Sequence, residues 1–199
     1  EQDAFTTAFD PLIQNLLAPT DGSTPVEDLH LGVVSTDMGT GGFMVGTCSD
    51  PVDGDNGVLL HTPNPALTGC DSTYPAYLNY DADSPSPTVA EMTTGFDCIA
   101  TLGTSGCGWE QHLEASSRAL EHTLPGGPNE GFMRPGSILM IVFVTDEEDC
   151  SVADPAIFNS ADSTLGHLNL RCYFHPYMVH PVDRYIEQFH GQRADPDFL

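Results

Sequence analysis

The residues best suited to chemistry in this sequence are a carboxylate and a hydroxyl supplied by two separate loops. Asp146 follows the apolar run 138–144 almost directly, and Thr104 lies in the Gly-Thr-Ser-Gly turn 103–106. Carboxylate and hydroxyl oxygens are hard ligands, which suit Mg²⁺, Ca²⁺ or Mn²⁺. The sequence therefore predicts a divalent-cation site, provided that the fold brings these two loops to one edge.

Two other acidic stretches are weaker candidates. Glu147 opens the run 147–149, which is more typical of a solvated acidic surface than of metal ligands, although Glu147 itself is kept as a secondary candidate. Asp53, Asp55 and Asn56 fall in a calcium-loop-like Asp-Gly-Asp-Asn-Gly stretch. The helix pair and closing Glu of an EF-hand are missing from the sequence, so a hairpin turn is favoured there.

The histidines and hydroxyl residues do not form a catalytic pattern. His175, His180 and His190 are spaced by five and ten residues, which does not place two imidazoles on one helical turn for zinc. The sequence has no Gly-x-Ser-x-Gly elbow and no glycine-rich phosphate loop. We therefore predict that the chain is not an enzyme, and a His/Asp metallohydrolase is the weakest of three functional hypotheses.

Composition narrows the class of partner. The 199 residues include 5 Lys+Arg and 29 Asp+Glu, a formal net charge of −24, which repels phosphate backbones and anionic lipid headgroups. The longest apolar run, 138–144, is too short to cross a bilayer. The sequence therefore predicts neither nucleic-acid binding nor direct membrane insertion, and its 40% hydrophobic content predicts one folded domain over 1–199.

The six cysteines predict three disulfide bonds and an extracytoplasmic location. No Cys-x-x-Cys pair and no Cys/His pair at zinc spacing occurs. Fifteen pairings are formally possible, and the order along the chain favours neighbouring couples that close loops outside the sheet. The expected bonds are Cys48–Cys70, Cys98–Cys107 and Cys150–Cys172.

Hydrophobic patterns predict the elements that must position these residues. Period-3.6 patterns predict helices, and compact apolar runs predict strands buried on both faces. The predicted helices cover 5–17, 89–100 and 109–120, and the predicted strands cover 29–36, 57–61 and 138–144. This order is typical of a doubly wound α/β fold, a mostly parallel sheet with helices on both faces. Ligands of such sheets bind beyond the carboxyl ends of the strands, where Asp146 and Thr104 would meet.

A long irregular excursion covers residues 62–87. It is rich in Pro, Asp, Ser, Asn and Tyr and follows neither period, so we expect a surface loop pinned by a disulfide. Tyr74, Tyr77 and Tyr80 are candidates for a contact surface, because tyrosine supplies contact area at low entropic cost. The alternative, that these rings pack the loop onto its own domain, stays open.

Three pieces of the sequence resemble a von Willebrand factor type A domain, over almost the whole chain. They are 31–39 (LGVVSTDMG), 96–98 (FDC) with 102–110 (LGTSGCGWE), and 138–150 (ILMIVFVTDEEDC). Together they are similar to the cysteine-rich secreted or lipoprotein-type members of bacterial surface proteomes. The resemblance implies a metal-ion-dependent adhesion site in which Thr104 and Asp146 are ligands.

The chain departs from that family in one important respect. The first strand and its Asp-x-Ser-x-Ser loop do not occur within 1–199, and residues 195–199 look like the approach to a fifth strand that is also missing. We therefore expect an incomplete domain whose missing strands come from further sequence or from a partner. Asp37 directly follows the predicted strand 29–36, which corresponds to the second strand of the family. At that position it would lie near the cation without being a direct ligand.

The resemblance implies an extracytoplasmic protein-binding or adhesion module, with a divalent cation whose open position accepts an acidic side chain of the partner. The alternative is a structural subunit of a surface assembly in which the metal site is vestigial. An Asp-x-Ser-x-Ser segment preceding this sequence would favour binding, and its loss would favour the structural role.

Overall fold

A computed structural model of the chain describes residues 2–84 and 86–192. The chain forms two compact units that interleave along the sequence. Unit 1 consists of Glu1–Val33 and Leu59–Gly103, and unit 2 consists of Val34–Val58 and Thr104–Leu199. Residues 195–199, where the resemblance implies the approach to a fifth strand, lie outside the described residues.

Unit 1 combines two helices with a two-stranded sheet. Its elements are α1 (Gln2–Leu17), β1 (Asp28–Leu31), β2 (Leu78–Asp81) and α2 (Val89–Ala100). The strands are antiparallel, and their register places Asp28 opposite Asp81 and Leu31 opposite Leu78. The α2 helix covers the residues predicted for it, and a capping box between Thr88 and Glu91 fixes where it begins.

The core of unit 1 lies between α1 and α2. The Phe9 and Phe96 rings stack with their centroids 4.2 Å apart, and Ile13 and Met92 are each 1% exposed. Leu78 adds the inner face of β2 to this cluster. The apolar face predicted for residues 5–17 is therefore the face that packs.

Unit 2 is built from helices and irregular segments. Its α-helices are α3 (His112–Glu121), α4 (Arg171–Phe174) and α5 (Val182–His190). Four 3₁₀ turns join them, at Pro155–Phe158, Ser163–Leu165, Leu168–Leu170 and Pro176–Met178. A second core cluster forms here around Trp109, whose ring contacts Phe158 and whose Nε1 donates to the Cys150 carbonyl at 2.7 Å.

The prediction of a doubly wound, mostly parallel sheet is wrong. In the described part of the chain, the only sheet is the antiparallel pair β1 and β2. The predicted strand 29–36 is reduced to β1, and residues 57–61 and 138–144 form no strand. Apolar runs predict burial, but a strand also needs a neighbouring backbone that supplies hydrogen bonds, and the sequence pattern does not reveal whether one is present.

The disulfide prediction is correct for one bond and wrong for two. Cys150 pairs with Cys172 as expected, whereas Cys48 pairs with Cys107 and Cys70 with Cys98. Residues 62–87 do not form a separately closed loop, since Cys70 within them is joined to α2. The loop before Cys48 is held at residue 107 by Thr47 Oγ1, which donates to the Cys107 carbonyl at 3.0 Å. Proximity in the fold therefore overrides proximity in the sequence.

Candidate functional site

The two predicted cation ligands lie at exposed bends of unit 2. The side chains of Thr104 and Asp146 are exposed, and no hydrogen bond in the described part of the chain joins them. Glu147 is also exposed, and its backbone N–H donates to Thr145 Oγ1 at 3.1 Å in a local turn. Among the described residues, no group of three or more His, Cys, Asp or Glu side chains is placed to hold a metal ion.

Asp37 occupies a crowded turn rather than an open edge. Its Oδ1 accepts a hydrogen bond from the Gly39 N–H at 2.9 Å, and its carbonyl accepts from the N–H groups of Asp55 and Asn56. Burial, followed by the negative charge of Asp55, raises the pKa of Asp37 above its ordinary value. A Cβ atom at Gly54 would stand 2.3 Å from Asp37 Oδ1. The stretch 53–57, predicted as a turn, therefore folds tightly against Asp37.

The apolar run 138–144, called the apolar segment below, is the largest departure from the sequence prediction. Ile138, Met140 and Val142 are 73%, 61% and 49% exposed, whereas Leu139 is 7% exposed. Ile141 is half-buried and Phe143 and Val144 are each 42% exposed, so exposure alternates only at the start of the segment and is continuous over 142–144. The prediction that both faces of this segment are covered is therefore wrong.

The backbone of the apolar segment has no partner in the described part of the chain. No hydrogen bond to its N–H or C=O groups occurs between residues 138 and 144. Although the segment belongs to no sheet, its unpaired N–H and C=O groups are open to pairing with the backbone of another chain.

Four acidic residues follow the apolar segment, namely Asp146, Glu147, Glu148 and Asp149, and they are called the acidic rim below. The first three are exposed. Asp149 is anchored, because its Oδ1 accepts from the Leu113 N–H at 2.9 Å and from the Ser151 hydroxyl at 2.8 Å. A carboxylate at this position satisfies a free N–H of the first turn of α3 and interacts favourably with the positive end of the helix.

His112 connects the acidic rim with the apolar segment. Its Nε2 lies 3.8 Å from Asp149 Oδ1, and its ring centroid lies 5.7 Å from that of Phe143. His112 is the first residue of α3. The first residue of α3 therefore contacts both the acidic rim and the apolar segment.

A buried polar network holds α3 against α5. Tyr185, 1% exposed, donates its hydroxyl hydrogen to Glu114 Oε2 at 2.7 Å, and Arg184 lies 3.3 Å from the same oxygen. Burial and the negative charge of Glu114 raise the pKa of Tyr185 well above its usual range. Sequence reasoning missed this network, because its members lie about 70 residues apart.

The structure gives the three C-terminal histidines separate surroundings. His175 Nε2 lies 3.1 Å from the Leu165 carbonyl, and His180 contacts Arg184. Burial, followed by the charge of Arg184, lowers the pKa of His180. His190 ends α5.

The three candidate tyrosines are half-buried in unit 1. Tyr74 and Tyr80 pack against its hydrophobic core, and the Tyr77 ring lies 4.5 Å from that of His30. These contacts correspond to the packing alternative, and recognition of a partner by these rings stays a prediction. The most exposed tyrosines are Tyr173 and Tyr177 in unit 2, each 75% exposed. Neither was among the tyrosines that the sequence singled out.

Comparison of the chain with protein-family models, with curated proteins and with solved structures found no match. None of the helices in the described residues is long and apolar enough to span a membrane. The resemblance to von Willebrand factor type A domains consequently rests on its three sequence pieces alone.

Proposed function

We propose that this chain is an extracytoplasmic protein-binding module whose binding surface is the apolar segment together with the acidic rim. The observation that carries the proposal is the exposure of Ile138, Met140 and Val142 along one face of a segment with unpaired backbone. Contiguous exposed apolar surface bordered by polar residues is typical of protein interaction sites.

The proposed location is supported by the cysteines. Three disulfide bonds are present and no cysteine in the described residues is free. Bonds of this kind persist in oxidising compartments and are rare where thiols are kept reduced. A partner of this module would accordingly be met outside the cytoplasm.

The resemblance to von Willebrand factor type A domains adds a cation to the proposal. Asp146 and Thr104 supply two oxygens, whereas Ca²⁺ takes about six to eight and Mg²⁺ would keep several waters. We therefore propose that any cation contributes weakly in this chain and becomes important only when further ligands, such as an acidic side chain of the partner, complete its coordination.

A structural subunit of a surface assembly is the second candidate. Unpaired backbone in the apolar segment favours it, because lasting assemblies bury such groups permanently. A reversible binding module would release its partner on dilution, whereas an assembly subunit would stay associated. Sedimentation of the isolated complex at decreasing concentration distinguishes the two.

Site-specific photo-crosslinking tests the proposal in the organism of origin. A benzophenone amino acid replaces Met140 in the apolar segment or, as a matched control, Met44, which is 78% exposed in unit 2. We expect position 140 to crosslink to one defined polypeptide that position 44 does not capture. Equal crosslinking at the two positions, or none at position 140, would refute the proposed surface.

A further inference from the structure

We infer that the apolar segment binds its partner by β-strand addition, and that the added strand carries Lys or Arg where it meets the acidic rim. This inference rests on the proposed function and specifies the chemistry of the partner. The partner that we infer is an extended peptide segment with basic residues at one end.

The unpaired backbone argues for an added strand. Residues 138–144 offer N–H and C=O groups that no described residue satisfies. Docking of a helix or of a compact apolar surface would cover the side chains but would leave these groups without hydrogen bonds. Only an extended segment can satisfy a row of such groups while it contacts alternate side chains.

The exposed apolar side chains argue for the same occupant. Ile138, Met140 and Val142 lie two residues apart and are exposed, as are Phe143 and Val144, whereas Leu139 is buried. Leu139 is therefore covered while both of its neighbours stay open to contact. A partner strand with apolar side chains at every second residue would match this spacing.

The acidic rim specifies the charge of the partner. Asp146, Glu147 and Glu148 are exposed, and no basic side chain in the described part of the chain pairs with them. The fourth carboxylate, that of Asp149, is already held by the start of α3. Three free negative charges at one end of the apolar segment favour a strand with positive charges at that end and oppose one with negative charges.

A second copy of the chain is the less favourable occupant. Each copy has a formal net charge of −24, so self-association would bring two strongly negative molecules together. A basic partner segment instead gains attraction from the acidic rim and from the charge of the whole chain.

Three synthetic peptides test the inference with the full chain. Each contains about eight alternating Val and Thr residues, enough to span the apolar segment as a strand. One peptide carries two Lys residues at one end, the second carries two Glu residues at that end, and the third is the Lys peptide with alternate amides N-methylated. Fluorescence anisotropy measures affinity, and hydrogen exchange of residues 138–144 reports where each peptide binds.

We expect the Lys peptide to bind at least about tenfold more tightly than the Glu peptide at low salt, a difference of about 1.4 kcal/mol. The N-methylated peptide should lose binding, because it cannot complete the hydrogen bonds of a strand pair. Hydrogen exchange in the apolar segment should slow only with the Lys peptide that retains its amides.

A pair of double variants isolates the contribution of the acidic rim. Glu147→Gln with Glu148→Gln removes two rim charges, and Asp183→Asn with Glu187→Gln removes two exposed charges from α5 as the matched control. The rim variant should reduce the preference for Lys over Glu clearly more than the control does, although Asp146 and the remaining net charge keep part of it.

Each contrary result identifies what has failed. Equal affinity of the Lys and Glu peptides would overturn the charge assignment, and equal affinity of the N-methylated peptide would overturn strand addition. Protection of residues 138–144 by a concentration-dependent dimer without any peptide would show that a second copy is the occupant. If crosslinking at Met140 captures a protein while no peptide binds, the inference fails and the proposed function stands.

Discussion

Removing the carboxylate of Glu114 will destabilise unit 2 through the contact between α3 and α5. In the Glu114→Ala variant, Tyr185 keeps a hydroxyl group in a site that is 1% exposed but loses its acceptor at 2.7 Å. Arg184 loses the partner 3.3 Å away. Arg118, whose Nη2 lies 3.7 Å from Glu114 Oε1, loses an ion-pair partner as well. Arg184 keeps its contact with His180.

The size of the effect follows from the burial of each partner. A hydrogen bond to a charged group contributes about 1.5–3 kcal/mol, and a buried group left without its partner costs about 1–3 kcal/mol. The side chain of Arg184 is 32% exposed, so water replaces much of its lost ion pair. We expect Glu114→Ala to lower the free energy of unfolding by about 2–4 kcal/mol and Tyr185→Phe by about 1–2 kcal/mol.

Urea unfolding followed by tryptophan fluorescence measures the loss of stability in unit 2. Trp109 is the only tryptophan and lies in the core of unit 2. Glu121→Ala is the matched control, because Glu121 lies on the same helix and pairs with Arg118 in an exposed salt bridge. Such a pair contributes about 0–1 kcal/mol. If the Glu114 and Glu121 variants differ by less than about 0.5 kcal/mol, a stabilising role of the buried network is refuted.

Three further predictions concern other parts of the chain. Mn²⁺ titrated by calorimetry should bind no more tightly than about 10⁻⁴ M; submicromolar binding that disappears in Asp146→Ala would contradict this. Because burial and the charge of Asp10 raise the pKa of Asp97, its ionisation destabilises the fold above that pKa. Asp97→Asn should therefore raise the urea midpoint at pH 7 but not at about pH 3, where the carboxyl is protonated in both folded and unfolded chains; an equal increase at both pH values would contradict the assignment. Gly54→Ala should lower the free energy of unfolding by about 1–3 kcal/mol, since φ is +57° and a Cβ would clash with Asp37; an unchanged urea midpoint would refute that clash.

Local rules predicted the helices more successfully than the strands. The residues of α2 carry their own start signal in Thr88 and Glu91, and their apolar spacing identifies the packed face. The apolar segment carries an equally strong hydrophobic signal. Its state depends on whether another backbone is available to pair with it, which is information that no local pattern contains.

The sequence shows that the acidic rim follows an apolar run, but it does not predict the candidate site. It predicts that this run is buried on both faces and that Thr104 and Asp146 meet at one edge as cation ligands. The link from Asp149 to the start of α3 spans 36 residues and was not visible. Disulfide partners were mispredicted where the fold joins distant loops, as in Cys48–Cys107, whose cysteines are 59 residues apart.

The interleaved arrangement of the two units has a consequence for biosynthesis. During synthesis from the N-terminus, Cys48 is made before Cys70 and Cys98, and its partner, Cys107, follows all three. The nearest early partner for Cys48 is thus an incorrect one, and a bond to Cys70 would also block Cys98. In oxidative refolding of the reduced chain, we therefore expect a disulfide isomerase or a thiol redox pair to raise the yield of native bonds above that obtained with an oxidant alone.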